Sequence, residues 1–384
     1  MIGPSLLLPP NTLHKWHIEF SKKMSTGNLS YKISTDVIVS VAVRISKKIQ
    51  PIVFIPLITK FLGINAYGAY AQILVVTSVL AGIFELGLHS SLVRFMQDRE
   101  GESQRARLYY TTTMMALIAG LVPTLLLYFY SQTVTQLTLS NRAYGAVFKI
   151  GSLLILTNIL IIMSKNFYRS HMNVKYYSII DGLRSYVLTA SVAFVIVVMG
   201  AGLELIVVAL VIVDFCFVLF LNILIIKRIG LYLPSVRNAS TYLSYSIPIM
   251  LGQISNNVLS KADRLLVGFY IGDSAVGIYS IAYKLGNIIL LYVGPLSDVF
   301  LPEFGRLWED GESERAREYL NSGIRYFLMF AVPSVFGLYL IGENIALLLA
   351  TVDVAASAQY LVPILAAGIC FSGLTTLYSL LYFA

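Results

Sequence analysis

Ten stretches of mainly apolar residues follow one another along the chain, separated by short polar segments. They lie at 37–59, 69–93, 108–130, 144–163, 176–199, 203–226, 246–271, 278–302, 319–342 and 360–382. A run of about 20 apolar residues is the length at which a helix crosses the hydrocarbon core of a bilayer. Aromatic pairs suited to the headgroup layer mark several ends, such as Tyr109-Tyr110, Tyr128 with Tyr130, and Tyr176-Tyr177. The pattern predicts an all-α integral membrane protein, a polytopic helix bundle of ten transmembrane helices.

The polar segments alternate in charge. Lys15, Lys22, Lys23 and Lys32 precede the first span, and Arg94, Arg99, Arg105 and Arg107 follow the second. Lys165, Arg169 and Lys175 follow the fourth, Lys227, Arg228 and Arg237 the sixth, and Arg306, Arg315 and Arg317 the eighth. Against these seventeen cations the opposite side has two, Lys60 and Arg142. That bias assigns the N-terminus and the basic loops to the cytoplasm of a multi-pass protein in the cell (cytoplasmic or inner) membrane. Residues 1–35 are expected to form a mobile cytoplasmic extension.

The chain also repeats itself. Six of the seven residues in Gly101-Glu102-Ser103-Gln104-Arg105-Ala106-Arg107 recur in order from Gly311 to Arg317, an offset of 210. Tyr109 and Pro123 meet Tyr319 and Pro333 at the same offset, while Gly63, Gly68 and Tyr70 meet Gly272, Gly277 and Tyr279 at 209. Six spans separate equivalent points, so the two copies share one orientation and form parallel, pseudo-symmetric repeats. The expected division is a first six-helix bundle at 36–230, a cytoplasmic linker at 231–245, and a second bundle of four helices at 246–384. A complete second copy would need two more spans of about 20 residues each, so the second repeat reads as truncated.

Composition agrees with the spans. Hydrophobic residues make up 57% of the chain and charged residues 12%, with a mean hydropathy of +0.76. A soluble domain carries about 25% charged residues. Lys and Arg outnumber Asp and Glu by 28 to 20, which in a soluble protein would suggest nucleic acid. Here loops facing anionic membrane lipids account for it, and no nucleic-acid partner is expected. Cys216 and Cys370 both sit in apolar stretches and read as packing residues.

Ionisable groups inside spans are costly and therefore informative. Arg44, Lys47 and Lys48 stand at i, i+3 and i+4 of the first span, one face of a helix. In the seventh span Gln253, Asn256, Asn257, Ser260, Lys261 and Arg264 form a longer stripe at helical spacing. The 209 offset pairs Arg44 with Gln253, Lys47 with Asn256 and Lys48 with Asn257. Two polar faces, one per repeat, are expected to line a shared water-filled cavity with a ladder of cations from mid-membrane outward. The competing reading is snorkelling to the headgroups, which suits Lys149, Lys284 and Arg325 near span ends.

Among the acidic groups, Asp181 and Arg184 are spaced to neutralise one another, and Asp263 flanks Arg264. Glu85 and Asp214 have no Lys or Arg one turn away on their own helix. They and Asp181 are candidates for proton or cation coupling, with an interhelical hydrogen bond as the structural alternative. Prolines recur at equivalent places. Pro51 and Pro56 are expected to interrupt the first span, and Pro123 and Pro333 mark the third and ninth, as hinges or static kinks. The sequence has no phosphate loop and no metal-ligand cluster, and no cofactor is expected. The exterior loops are short for a membrane glycan-processing enzyme.

Two motifs resemble a known family. Leu62-Gly63-Ile64-Asn65-Ala66-Tyr67-Gly68-Ala69-Tyr70, after a first span with basic residues, is similar to the first loop of Wzx-type polysaccharide-biosynthesis flippases. Asp263-Arg264 through Gly272-Asp273-Ser274-Ala275-Val276-Gly277-Ile278-Tyr279 is similar to their central repeat. These belong to the multidrug/oligosaccharidyl-lipid/polysaccharide exporter superfamily, and the resemblance covers about residues 30–384. It implies two helix bundles, alternating access across a central cleft, and a polyprenyl-pyrophosphate-linked oligosaccharide moved to the outer leaflet. It also implies polysaccharide polymerase and glycosyltransferase partners. A cation-coupled multidrug exporter of the same superfamily is the second reading, less suited to a basic stripe.

Overall fold

A chain crossing hydrocarbon must satisfy its backbone polar groups internally, and the apolar runs do so as helices. The computed structural model describes residues 42–43, 46–47, 50–97, 101–139, 141–170 and 174–378. In the first repeat the helices are α1 (Pro51–Leu62), α2 (Ile64–Phe84), α3 (Leu88–Gln97), α4 (Glu102–Phe129), α5 (Ser131–Thr138), α6 (Gly145–Gly151), α7 (Leu153–Ser170), α8 (Val174–Ala193) and α9 (Leu203–Ile229). The second repeat has α10 (Ala239–Leu259), α11 (Ala262–Tyr270), α12 (Asp273–Gly286), α13 (Val293–Glu309), α14 (Ser313–Leu349) and α15 (Val352–Tyr378). Among the described residues there is no strand, and eight segments are long and apolar enough to cross a membrane. The expected first and seventh spans are not among those eight. The end of the first, residues 51–59, lies in α1, a helix of only twelve residues, and the seventh is divided between α10 and α11. The helix of the seventh span begins at Ala239, inside the stretch assigned to the linker. The extension at 1–35 lies outside the described residues.

Of the expected proline interruptions of the first span, one falls at Pro51, after a turn at Gln50, and none falls at Pro56. Pro51 opens α1, where its missing N–H costs nothing. Pro56, Pro123, Pro248 and Pro333 sit inside helices that run through them. The second span breaks instead at Glu85–Gly87, where Leu86 (φ 58°) and Gly87 (φ 67°) are left-handed. A Cβ on Gly87 would lie 2.6 Å from the Ser246 carbonyl oxygen of α10, so the second repeat presses close against the break. The seventh span breaks between Leu259 and Ala262.

The two repeats cross symmetrically at α2 and α12. A Cβ on Gly68 would stand 1.8 Å from the carbonyl oxygen of Asp273, the first residue of α12. One on Gly277 would stand 2.8 Å from the carbonyl oxygen of Ile64, the first residue of α2. Both pairs are 209 residues apart, so the sequence repeat is a spatial one. Thr59 of α1 adds a link, donating its hydroxyl to the Leu349 carbonyl at the end of α14 (2.7 Å). Within the first bundle, buried Tyr109 of α4 donates to Asn222 of α9 at 2.8 Å and lies 3.3 Å from the Ser164 hydroxyl of α7, tying three helices together.

Candidate functional site

A polar cavity of about 350 Å3 opens along the seam between the repeats. Ser78, Ala81, Gly82 and Glu85 line it from the second span, at the i, i+3, i+4 and i+7 positions of one helical face. Asn158 and Ile162 of α7 form a second wall, and Gln253 and Asn257 of α10 with Lys261 form the third. Lys261 donates to the Ser78 hydroxyl across the seam at 3.0 Å. Among the described residues no carboxylate lies within ion-pair distance of it. Gly82 leaves the room that the Asn257 amide needs, since a Cβ there would be 3.3 Å from Nδ2.

Glu85 lines this cavity beside His89 and Gln253. Its residue is almost fully buried, and its carboxylate accepts from the backbone N–H of His89 and faces His89 Nδ1 at 2.8 Å. With Nδ1 donating to Glu85, Nε2 is left to accept from the Gln253 amide at 3.3 Å. The dyad therefore bridges the helix break of the first repeat to α10 of the second. Beyond His89 and Gln253, a second cavity of about 460 Å3 continues toward the basic-loop end, lined by Ser90, Val93, Arg94 and Gln97 of α3, Asn166 and Arg169 of α7, and Tyr245 and Ile249 of α10. His89, Arg94 and Arg169 were legible only in part. His89 stands one turn from Glu85, a signal missed by counting Lys and Arg alone as cations, and the arginines were read for topology only.

The sequence-predicted residues divide. Glu85, Gln253, Asn257 and Lys261 are brought together in the seam cavity. Arg44, Lys48 and the side chain of Asn256 lie outside the described residues. Lys47 turns away from α10 and forms an ion pair with Asp181 of α8, which also holds Lys165 at 2.6 Å. A buried carboxylate needs such compensation, and with Lys165 and Lys47 beside it Asp181 does not pair with Arg184 of its own helix. Arg184 instead clasps Asp214 of α9 through two bonds of 2.8 Å each, the fork geometry guanidinium favours. Asp214 thus has a partner across helices, although its own helix offers none.

Arg264 also leaves the predicted stripe. A stripe at 3.6-residue spacing assumes one unbroken helix, and the break before Ala262 turns Arg264 onto the ring of Tyr283, 4.2 Å from its centroid. Asp263 accepts from the Arg264 backbone N–H (2.8 Å) and from the Tyr279 hydroxyl (2.5 Å). Lys284, expected to snorkel, lies over the rings of Tyr67 (5.4 Å) and Phe54 (5.9 Å) at the repeat crossing. Lys149 sits over Tyr128 at 4.7 Å.

Comparison with known proteins follows from this fold. A family model described as polysaccharide biosynthesis protein matches residues 33–308, and one described as MatE matches 248–381. The probable flippase AglR of Haloferax volcanii is 22% identical over 74% of this chain and 58% of its own length. The succinoglycan biosynthesis transport protein ExoT of Rhizobium meliloti is 24% identical over 77% of this chain and 58% of its own. The chain thus spans less than two thirds of the curated relatives it matches. Among solved structures, the lipid II flippase MurJ in an inward closed conformation superposes with a TM-score of 0.74, at 16% identity over 90% of this chain and 76% of that one. An inward-facing multidrug resistance MATE family transporter superposes with a TM-score of 0.69, at 15% identity over 89% and 86%. The fold is that of this superfamily's exporters.

Proposed function

The chain belongs to the polysaccharide biosynthesis protein family, and on that premise we propose that it is a flippase for a polyprenyl-pyrophosphate-linked oligosaccharide. It carries the headgroup from the cytoplasmic to the outer leaflet of the cell membrane, with its N-terminus and basic loops in the cytoplasm. The observation that carries this reading is Lys261, a cation in a polar cavity between two repeats that has no carboxylate partner among the described residues. A diphosphate and a glycan are too polar to cross hydrocarbon, whereas the lipid tail can stay in it. A seam cavity with amide, hydroxyl and cationic groups offers the headgroup replacement for its hydration. Rocking of the repeats about the α2–α12 crossing would open that cavity to each side in turn. A membrane potential favours outward movement of the anion by about 2.3 kcal/mol per charge per 100 mV. Polymerase and glycosyltransferase partners would supply and consume the substrate.

A second reading rests on Glu85. A buried carboxylate in the same cavity suits an organic cation or a coupling ion, as in a multidrug exporter. Complementation separates the two. A strain lacking its oligosaccharide flippase should regain surface glycan when it expresses this chain and should gain no resistance to cationic drugs. The reverse pattern supports the exporter.

A further inference from the structure

The cavity at the basic-loop end carries two guanidinium groups that the deep lysine does not account for. Arg94 stands in the last turn of α3 and Arg169 in the last turn of α7, and both line the same space of about 460 Å3. Helix C-termini favour cations, which accounts for arginines at these two ends but not for their convergence. Several other cations are neutralised, for Lys47, Lys165, Arg184, Arg306 and Arg315 all face carboxylates. Among the described residues neither Arg94 nor Arg169 has one.

We propose that Arg94 and Arg169 form the first docking site for the diphosphate group of the substrate, at the cytoplasmic mouth of the cleft. The proposal rests on the flippase reading and names where its headgroup is first held. A guanidinium binds a phosphoryl group through two parallel N–H···O bonds, so two arginines suit two linked phosphoryl groups, one fork for each. Pyrophosphate carries more charge and more acceptor oxygens than orthophosphate, so it is the better ligand for such a pair. The wall that carries Arg94 is fixed, because Ser91 donates to the Tyr242 carbonyl at 2.7 Å and the Phe95 ring packs against Tyr242 and Tyr245, both at 5.5 Å. His89 and Gln253 line both cavities, so an anion released from the arginines passes directly to the space that ends at Lys261. The donors then form a sequence from mouth to depth, and the weakly hydrated forks come first.

The test uses the full chain in nanodiscs of neutral phosphatidylcholine and reads binding of inorganic pyrophosphate and of orthophosphate by titration calorimetry. Arg94→Gln and Arg169→Gln should each weaken pyrophosphate binding about tenfold, with orthophosphate the weaker ligand throughout. Arg94→Lys, which keeps the charge and loses the fork, should fall between wild type and Arg94→Gln. Arg237→Gln, outside the cavity, should bind as wild type does, and thermal melts should show each variant folded. No pyrophosphate binding by wild type, or equal binding by the double variant, overturns the proposal. Loss of binding in the double variant while wild type moves no lipid-linked glycan keeps the anion site and removes the flippase reading. Lipid-linked glycan movement unchanged in the double variant removes the docking role and leaves the flippase reading standing.

Discussion

Gly68 and Gly277 occupy the same position in the two repeats, and each lies against the first residue of the other's helix. The crossing leaves no space for a methyl group at Gly68, where the obstacle is the rigid Asp273 carbonyl at 1.8 Å. At Gly277 the contact is 2.8 Å to both the Ile64 carbonyl and its flexible Cδ1. Gly68→Ala should therefore cost about 2 kcal/mol or more and Gly277→Ala less. Gly252→Ala, with nothing within 4 Å, should be neutral or stabilising. Thermal melts in detergent give the order, and equal melting of all three would contradict the close crossing.

The Arg184–Asp214 clasp predicts a loss of stability rather than of transport coupling. Asp214→Asn leaves a mostly buried guanidinium without its counter-charge, at a cost of about 3 kcal/mol. The exchange Arg184→Asp with Asp214→Arg should recover part of it. A fully stable Asp214→Asn protein that has lost gradient-driven transport would instead mark Asp214 as a coupling group.

Orientation can be read with single cysteines in a background lacking Cys216 and Cys370. Ser103→Cys and Ser313→Cys, exposed at equivalent points of the repeats, should react with an impermeant maleimide only from the cytoplasmic side. Ser274→Cys, near the start of α12, should react only from outside. Labelling of positions 103 and 313 from opposite sides would contradict parallel repeats.

Glu85 is the remaining candidate for ion coupling inside the seam cavity, since Asp181 and Asp214 are already held by cations. Glu85→Gln should abolish transport driven by a proton or sodium gradient while leaving substrate binding measurable. Preserved transport with a lower melting temperature would make Glu85 a structural partner of His89. Proteoliposome flux with and without an imposed gradient distinguishes these results.

Much of the fold was legible because it depends on runs and repeats. The ten apolar stretches and the Gly-Glu-Ser recurrence are one-dimensional signals, and eight of the ten stretches correspond to helical segments long and apolar enough to cross a membrane. The site was legible only where it follows from one helix. Gln253, Asn257 and Lys261 share a face up to the break, and Arg264 left it because nothing in the spacing announces a break after Leu259. Partners across helices were not legible at all. Asp214 meets Arg184, and Lys47 meets Asp181, because of how α8 is rotated against its neighbours, and rotation is set by packing rather than by the sequence of either helix. Lys284 was misjudged by a boundary. The eighth span starts at Asp273 rather than 278, which moves Lys284 inward to the aromatic rings of the crossing.

The most direct measurement is flux of a polyprenyl-pyrophosphate-linked oligosaccharide in proteoliposomes holding this chain, under an imposed potential, with a lectin or glycosidase reporting the leaflet. Wild type should move the glycan headgroup, and Lys261→Gln should slow it severely while the protein stays folded. Lys149→Gln, on the Tyr128 ring away from the seam, should transport as wild type does. No flux by wild type, or equal flux by all three, would contradict a cationic cleft that carries the anionic headgroup across.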